Sequence, residues 1–126
     1  MSEHQLSPAE TLELMIVAHN AGDYDTAQSY IHPEAINHGP PPTDGVVGWR
    51  QSWENAKAMF PKMHTHIEAT VAQGDMVCHR YKVSGTAANG KEFSFLGLDM
   101  VRVKDGKVIE HWALGDFAGL NAQIAD

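Results

Sequence analysis

The chain has 126 residues, 43% of them hydrophobic and 20% charged, which is the size and composition of one globular domain with a core that needs no disulfide or metal staple. Its net charge of −7, with histidine neutral, argues against a nucleic-acid surface and against an anionic membrane as partner. Cys78 is the single cysteine, so no intrachain disulfide forms; in its strand-like run it reads as a small buried side chain rather than a nucleophile.

The opening Met-Ser-Glu-His-Gln lacks the basic and apolar regions of a leader, and no apolar run approaches the roughly 18 residues of a membrane span. A soluble cytoplasmic protein is expected. Ser7-Pro8-Ala9-Glu10 is a capping box with proline at the first helical position. Leu12, Met15, Ile16 and His19 then recur at helical spacing until Gly22. Asp23 begins a shorter helix through Tyr24, Ala27 and Ile31, ended by His32-Pro33. Ala35 to His38 reads as a short extended piece before a stiff Gly39-Pro40-Pro41-Pro42 loop. A third helix is predicted from about Gly45 to Phe60, with Trp49, Trp53, Ala56 and Phe60 on one stripe, and Pro61 breaks it.

From there the hydrophobic period changes to two. Strands are predicted at His64–Gln73, Met76–Thr86, Glu92–Lys104 and Lys107–Phe117, punctuated by Gly74-Asp75, Asn89-Gly90 and Asp105-Gly106. Helices followed by an antiparallel meander define an α+β domain over residues 1–126, with three N-terminal helices on one face of the sheet.

The last hairpin closes in one of two ways. A two-residue Asp105-Gly106 turn pairs Lys104 with Lys107, sets Asp99 against Trp112 and sends His111 to the other face. A three-residue loop, Lys104-Asp105-Gly106, carries a bulge, puts Gly106 at positive φ and sets Asp99 against His111, Gly97 against Ala113 and Val101 against Ile109. The second register is preferred. It separates an apolar face of Leu96, Leu98, Met100, Trp112 and Leu114 from one carrying a carboxylate, an imidazole and small residues. Phe93, Phe95, Val101 and Ile109 then need cover on one side. The helices supply it, which leaves the opposite face exposed or against another chain.

Tyr30 to Glu34, Asn37-His38, Gly45 to Arg50 and the closing run Asp99 to Trp112 resemble the SnoaL-like polyketide cyclases, a branch of the nuclear-transport-factor-2-like superfamily that also holds ketosteroid isomerases. The resemblance spans nearly the whole chain. It implies a cone-shaped α+β barrel, a curved sheet wrapped round helices over an apolar cavity, and a homodimer through sheet faces. It implies ring closure by an intramolecular aldol condensation, with an aspartate as acid and base, a histidine nearby, and no metal or cofactor. Counted from the Asp105-Gly106-Lys107 turn, the family's aspartate falls at Ala113 and its histidine at Asp99, so neither catalytic residue carries over. Asn37 matches an asparagine of the family's early strand.

The pair that remains, Asp99 and His111, suits abstraction of a proton beside a carbonyl, with His111 or Asn37 stabilising the enolate. The bland alternative is a buried ion pair with no reaction. One of Trp49 and Trp53 is read as core; Trp53, with Phe60 on its stripe, is taken to stack on a flat ligand. Tyr81, Phe95 and Ala113 join them as binding residues, and His38 is placed at the entrance or, alternatively, as a cap of the proline loop. His64, His66 and His79 would make a metal site only if brought together, and surface histidines are the preferred reading. Three functions stay open: cofactor-free acid–base chemistry on a small hydrophobic carbonyl or polyketide-like compound, opening of an epoxide, and non-catalytic binding of a small molecule. The expected partners are that ligand and a second copy of the chain through Leu98, Met100, Trp112 and Leu114.

Overall fold

A computed structural model describes residues 5–43 and 45–126; residues 1–4, part of the stretch read as lacking a leader, and residue 44 lie outside the described residues. Among the described residues no helix is long and apolar enough to cross a membrane. The capping box forms as read: the Ser7 hydroxyl accepts from the Glu10 backbone N–H at 3.1 Å, and Glu10 accepts from the Ser7 N–H at 2.9 Å. It opens helix α1 (Pro8–Asn20), which buries Leu12, Met15 and Ala18. Helix α2 (Tyr24–Ser29) is capped by Asp23. It is shorter than expected, because Ile31 already begins a strand, β1 (Ile31–Asn37). The Tyr30 carbonyl accepts from the Val108 N–H, and that long-range pairing overrides the local helical pattern. Helix α3 (Gly45–Met59) buries Trp49.

Strands β2 (Lys62–Gln73), β3 (Met76–Thr86), β4 (Glu92–Lys104) and β5 (Lys107–Gly115) follow at the predicted places. A fourth helix, α4 (Phe117–Ile124), was not read from the sequence. Its Asp116 cap accepts from Gly119 N–H, and Leu120 buries against Phe60 and Phe93 in the second core cluster. The sheet order is β1-β5-β4-β3-β2. It is not wholly antiparallel, because β1 lies parallel to β5 as an edge strand. That edge position tolerates Pro33, which has no N–H to give a second neighbour. Helices α1 and α3 close over the concave face, so the fold is a mixed α+β cone with an open sheet.

The closing hairpin takes neither register whole. Its turn is the two-residue one, pairing Lys104 with Lys107, with Asp105 at φ 52° and Gly106 at φ 73°. Val103 then pairs with Val108, but Arg102 pairs with Glu110, so Ile109 is an extra residue in β5. Beyond this bulge Val101 faces His111, Asp99 faces Ala113 and Gly97 faces Gly115. The preferred register was therefore out by two residues along the strand, which keeps parity. Asp99, His111 and Ala113 share the inner face as expected, and Ile109 is the bulged residue rather than Val101's partner. On the outer face Leu98 and Leu114 are 48% and 69% exposed, and Leu96 and Met100 join them.

A methyl group at Gly106 meets no atom within 4 Å, so substitution there acts only through backbone conformation. Gly106→Ala should lower stability by about 1–2 kcal/mol, the cost of the left-handed region for an L-residue, read as a shift of the urea midpoint at unchanged slope.

Candidate functional site

Three strands deliver polar groups to one level of the inner face. Asp99 on β4 is flanked directly by His79 on β3 and by Ala113 on β5. His111 lies diagonally across, and its Nε2 makes an ion-pair contact with Asp99 Oδ1. That oxygen is buried and has no aligned hydrogen-bond donor. Asp99 is 8% exposed, so its carboxyl group lies away from bulk water.

The other imidazole nitrogen is fixed from β1. Parallel pairing sets Asn37 beside His111, and Asn37 Oδ1 lies 2.7 Å from His111 Nδ1. The orientation of the amide is set by two further bonds. The Gly39 N–H donates to Oδ1 at 3.0 Å, and Nδ2 donates to Thr43 Oγ1 at 3.0 Å. An oxygen facing Nδ1 requires that nitrogen to carry a proton. Nε2 then faces Asp99, and a proton on Nε2 or on the carboxyl keeps two lone pairs from meeting. Asn37 is thus a positioning residue behind His111 and does not reach the cavity.

The cavity beside this pair has a volume of about 170 Å³. Asp99, His111, Tyr81 and Ala113 line it from the sheet, together with Thr65, Ile67 and Val83. Met15, Ile16 and His19 of α1 and both Trp49 and Trp53 of α3 line it from the helices. The expectation of a single tryptophan is corrected: the two indoles sit 6.1 Å apart at 59°, and Trp49 also lies 4.7 Å from the His111 ring. Tyr81 lies over Gly97, where a Cβ would come within 2.6 Å of the phenol ring, so glycine is what lets the ring lie on the sheet. Burial, reinforced by the Asp99 carboxylate, pushes the Tyr81 phenol up to about 12. It therefore remains a hydrogen-bond donor at neutral pH.

Besides Asn37, expected at the enolate, three further residues expected in the site lie elsewhere. Phe60 packs on Phe93 at 4.9 Å in the second core cluster, because Pro61 turns the chain there toward the sheet edge. Phe95 sits between Phe93 and Phe117, under the helix the sequence did not reveal. His38 is on the outer side, stacked on Trp112 at 5.0 Å and 9°, with Nε2 2.7 Å from Glu110. His64 and His66 are exposed while His79 is buried on the inner face, so the three histidines do not meet. Met15, Ile16, Thr65, Ile67 and Val83 were not singled out as site residues. His19 was counted only as part of the helical stripe, although a polar side chain ending an apolar stripe was the available signal.

A profile of the SnoaL-like polyketide cyclases matches residues 9–124. The structure is similar to that of IdmH, a proposed polyketide cyclase from Streptomyces antibioticus, with a TM-score of 0.87 and 30% identity over 96% of this chain and 100% of that one. It is also similar, with a TM-score of 0.86 and 13% identity over 94% of this chain and 98% of that one, to a nuclear-transport-factor-2-like protein of unknown function from Burkholderia pseudomallei. The two share the cone fold. In sequence the chain is 25% identical over 124 residues to nogalonic acid methyl ester cyclase of Streptomyces nogalater, covering 89% of this chain and 92% of the relative. The chain belongs to the SnoaL-like polyketide cyclase family.

Burial lowers the pKa of His79, against the opposing pull of Asp99 and Glu13, and burial with Lys57 lowers that of His19. Below the ordinary value of 6.5 the unfolded chain therefore binds more protons than the folded one. The stability from these neutral imidazoles is complete above that pH and is lost as pH falls from it toward the lowered folded-state values. His79→Leu should reduce the drop in Tm between about pH 7.5 and 5.5 by removing one of the two contributions.

Proposed function

We propose that this protein is a cyclase- or isomerase-type catalyst that moves a proton beside a carbonyl group of a flat, hydrophobic, polyketide-like compound, with no cofactor in the step. The observation that carries this reading is the buried carboxylate of Asp99 at the wall of a cavity lined mostly by aliphatic and aromatic side chains. A carboxylate there is poorly solvated and reacts as a base without first shedding water. Asp99 takes the proton from the carbon next to a carbonyl, the Tyr81 hydroxyl holds the enolate oxygen, and His111 orients the carboxylate. In ring closure the carbanion's electron pair forms the new C–C bond to a second carbonyl carbon. The π pair of that carbonyl moves to its oxygen, and the proton removed by Asp99 is returned to the resulting alkoxide, which becomes the hydroxyl. Atoms and charge balance with no oxidant or reductant.

In the family pattern the carboxylate belongs at position 113 and the imidazole at position 99. Residues 99 and 113 are direct cross-strand neighbours. The carboxylate at 99 and the imidazole at 111 therefore occupy nearly the same part of the cavity wall with their strands exchanged. Non-catalytic binding of the same ligand class is the second reading, favoured by the methyl group of Ala113 where the family has its aspartate. Asp99→Asn separates the two. With nogalonic acid methyl ester as probe, this variant should lose about 10²–10⁴-fold in turnover while binding persists. Equal turnover by variant and wild type removes Asp99 from the mechanism, and binding without turnover in the wild type favours the binder.

We also propose that a second copy of this chain covers the outer face of β4 and β5. The patch formed by Cys78, Leu98, Met100, Trp112 and Leu114 is wholly apolar, and such a patch is self-complementary across a two-fold axis. Leu98→Glu should convert a dimer to monomers in sedimentation. A wild-type monomer throughout the micromolar range defeats the idea.

A further inference from the structure

One side of the cavity is a row of rings with an imidazole at each end. His19 on α1 meets Trp53 edge-on at 5.2 Å and 76°, Trp53 leads to Trp49, and Trp49 leads to His111. The His111 end carries Asp99 and Tyr81, which the proposed reaction uses. The His19 end has no assigned role. His19 lines the same cavity, and its ring makes contacts with Tyr24 and Trp53 but no side-chain hydrogen bond among the described residues. Its backbone is held firmly. The next residue, Asn20, clamps α1 to β2 with both ends of its amide, Nδ2 donating to the Thr65 carbonyl and Oδ1 accepting from the Thr65 N–H, each at 2.8 Å.

We propose that His19 is the second polar anchor of this cavity, donating a hydrogen bond to a carbonyl oxygen at the far end of a flat, uncharged ligand whose near end lies at Asp99, Tyr81 and His111. The inference rests on the acid–base reading above and adds to it a feature of the ligand: a second carbonyl group at the His19 end of the cavity. Burial, with the nearby Lys57 charge, keeps the His19 imidazole neutral, with one N–H to give. Among the described residues no lysine or arginine lines the cavity, and Asp99 repels a carboxylate at the near end, so an uncharged carbonyl such as an ester or a dione fits beside it.

The test uses two probes and two variants. 2,3-Dimethyl-1,4-naphthoquinone carries a carbonyl at each side of a ring, and 1-tetralone carries only one, which turns to whichever anchor is present. Binding is followed by quenching of Trp49 and Trp53 fluorescence. His19→Phe keeps a ring between Tyr24 and Trp53 but removes the N–H; His19→Gln keeps a donor. His19→Phe should weaken the dione by about five- to tenfold, the loss of one buried hydrogen bond, and change tetralone affinity by less than about twofold. His19→Gln should recover part of the dione affinity. A packing role for His19 predicts equal losses for both probes, and that result, or no loss for either, overturns the proposal while leaving the reading of Asp99 intact. Failure of the wild type to bind either probe overturns both.

Discussion

Ile109, one residue more than a regular ladder allows, keeps the inner face of this protein in phase. The tight Asp105-Gly106 turn alone would carry His111 to the outer face with Trp112 turned inward. The bulge absorbs one residue and restores the alternation, so that His111 and Ala113 join Asp99 over the cavity while Trp112 and Leu114 look outward. Every polar element of the site depends on that phase. Asn37 reaches His111 only because β1 pairs with β5 just beyond the bulge.

The inner face then manages an awkward combination, a carboxyl and two imidazoles within a largely apolar core. Buried polar groups are costly unless they are paired. His111 is committed on both nitrogens, to Asn37 and to Asp99. His79 is fully buried with Nδ1 unpartnered, and burial holds it neutral beside the carboxyl. One Asp99 oxygen has only the imidazole contact. A site with spare hydrogen-bonding capacity at its carboxylate is poorly arranged for stability alone and well arranged to receive a ligand atom or proton.

The helices set the other boundary. The ring of Trp49 packs on His111, so core packing and ligand wall are one and the same surface. This is why the choice between a core tryptophan and a pocket tryptophan was a false one: a cavity of this size needs an aromatic wall whose far side is the hydrophobic core. Trp53, half buried between Trp49 and His19, continues that wall toward the end of α1.

The sequence by itself determined the helices α1 and α3, the four long strands and the segregation of faces on the last hairpin, because capping boxes, turn dipeptides and period-two alternation are local signals. It also placed Asp99, His111, Tyr81, Trp53 and Ala113 on the cavity side. Only the tertiary structure decided the rest. The parallel pairing of β1 with β5 joins residues more than seventy positions apart, as in the contact of Asn37 with His111, and no local pattern encodes it. The bulge at Ile109 has no sequence mark of its own, since an isoleucine fits either strand face. Phe60 and Phe95 look like cavity residues by periodicity, but α4 and Phe93 claim them. His19 looked like one more position of a helical stripe until α1 was laid against β2 and the end of that stripe became the far wall of the cavity.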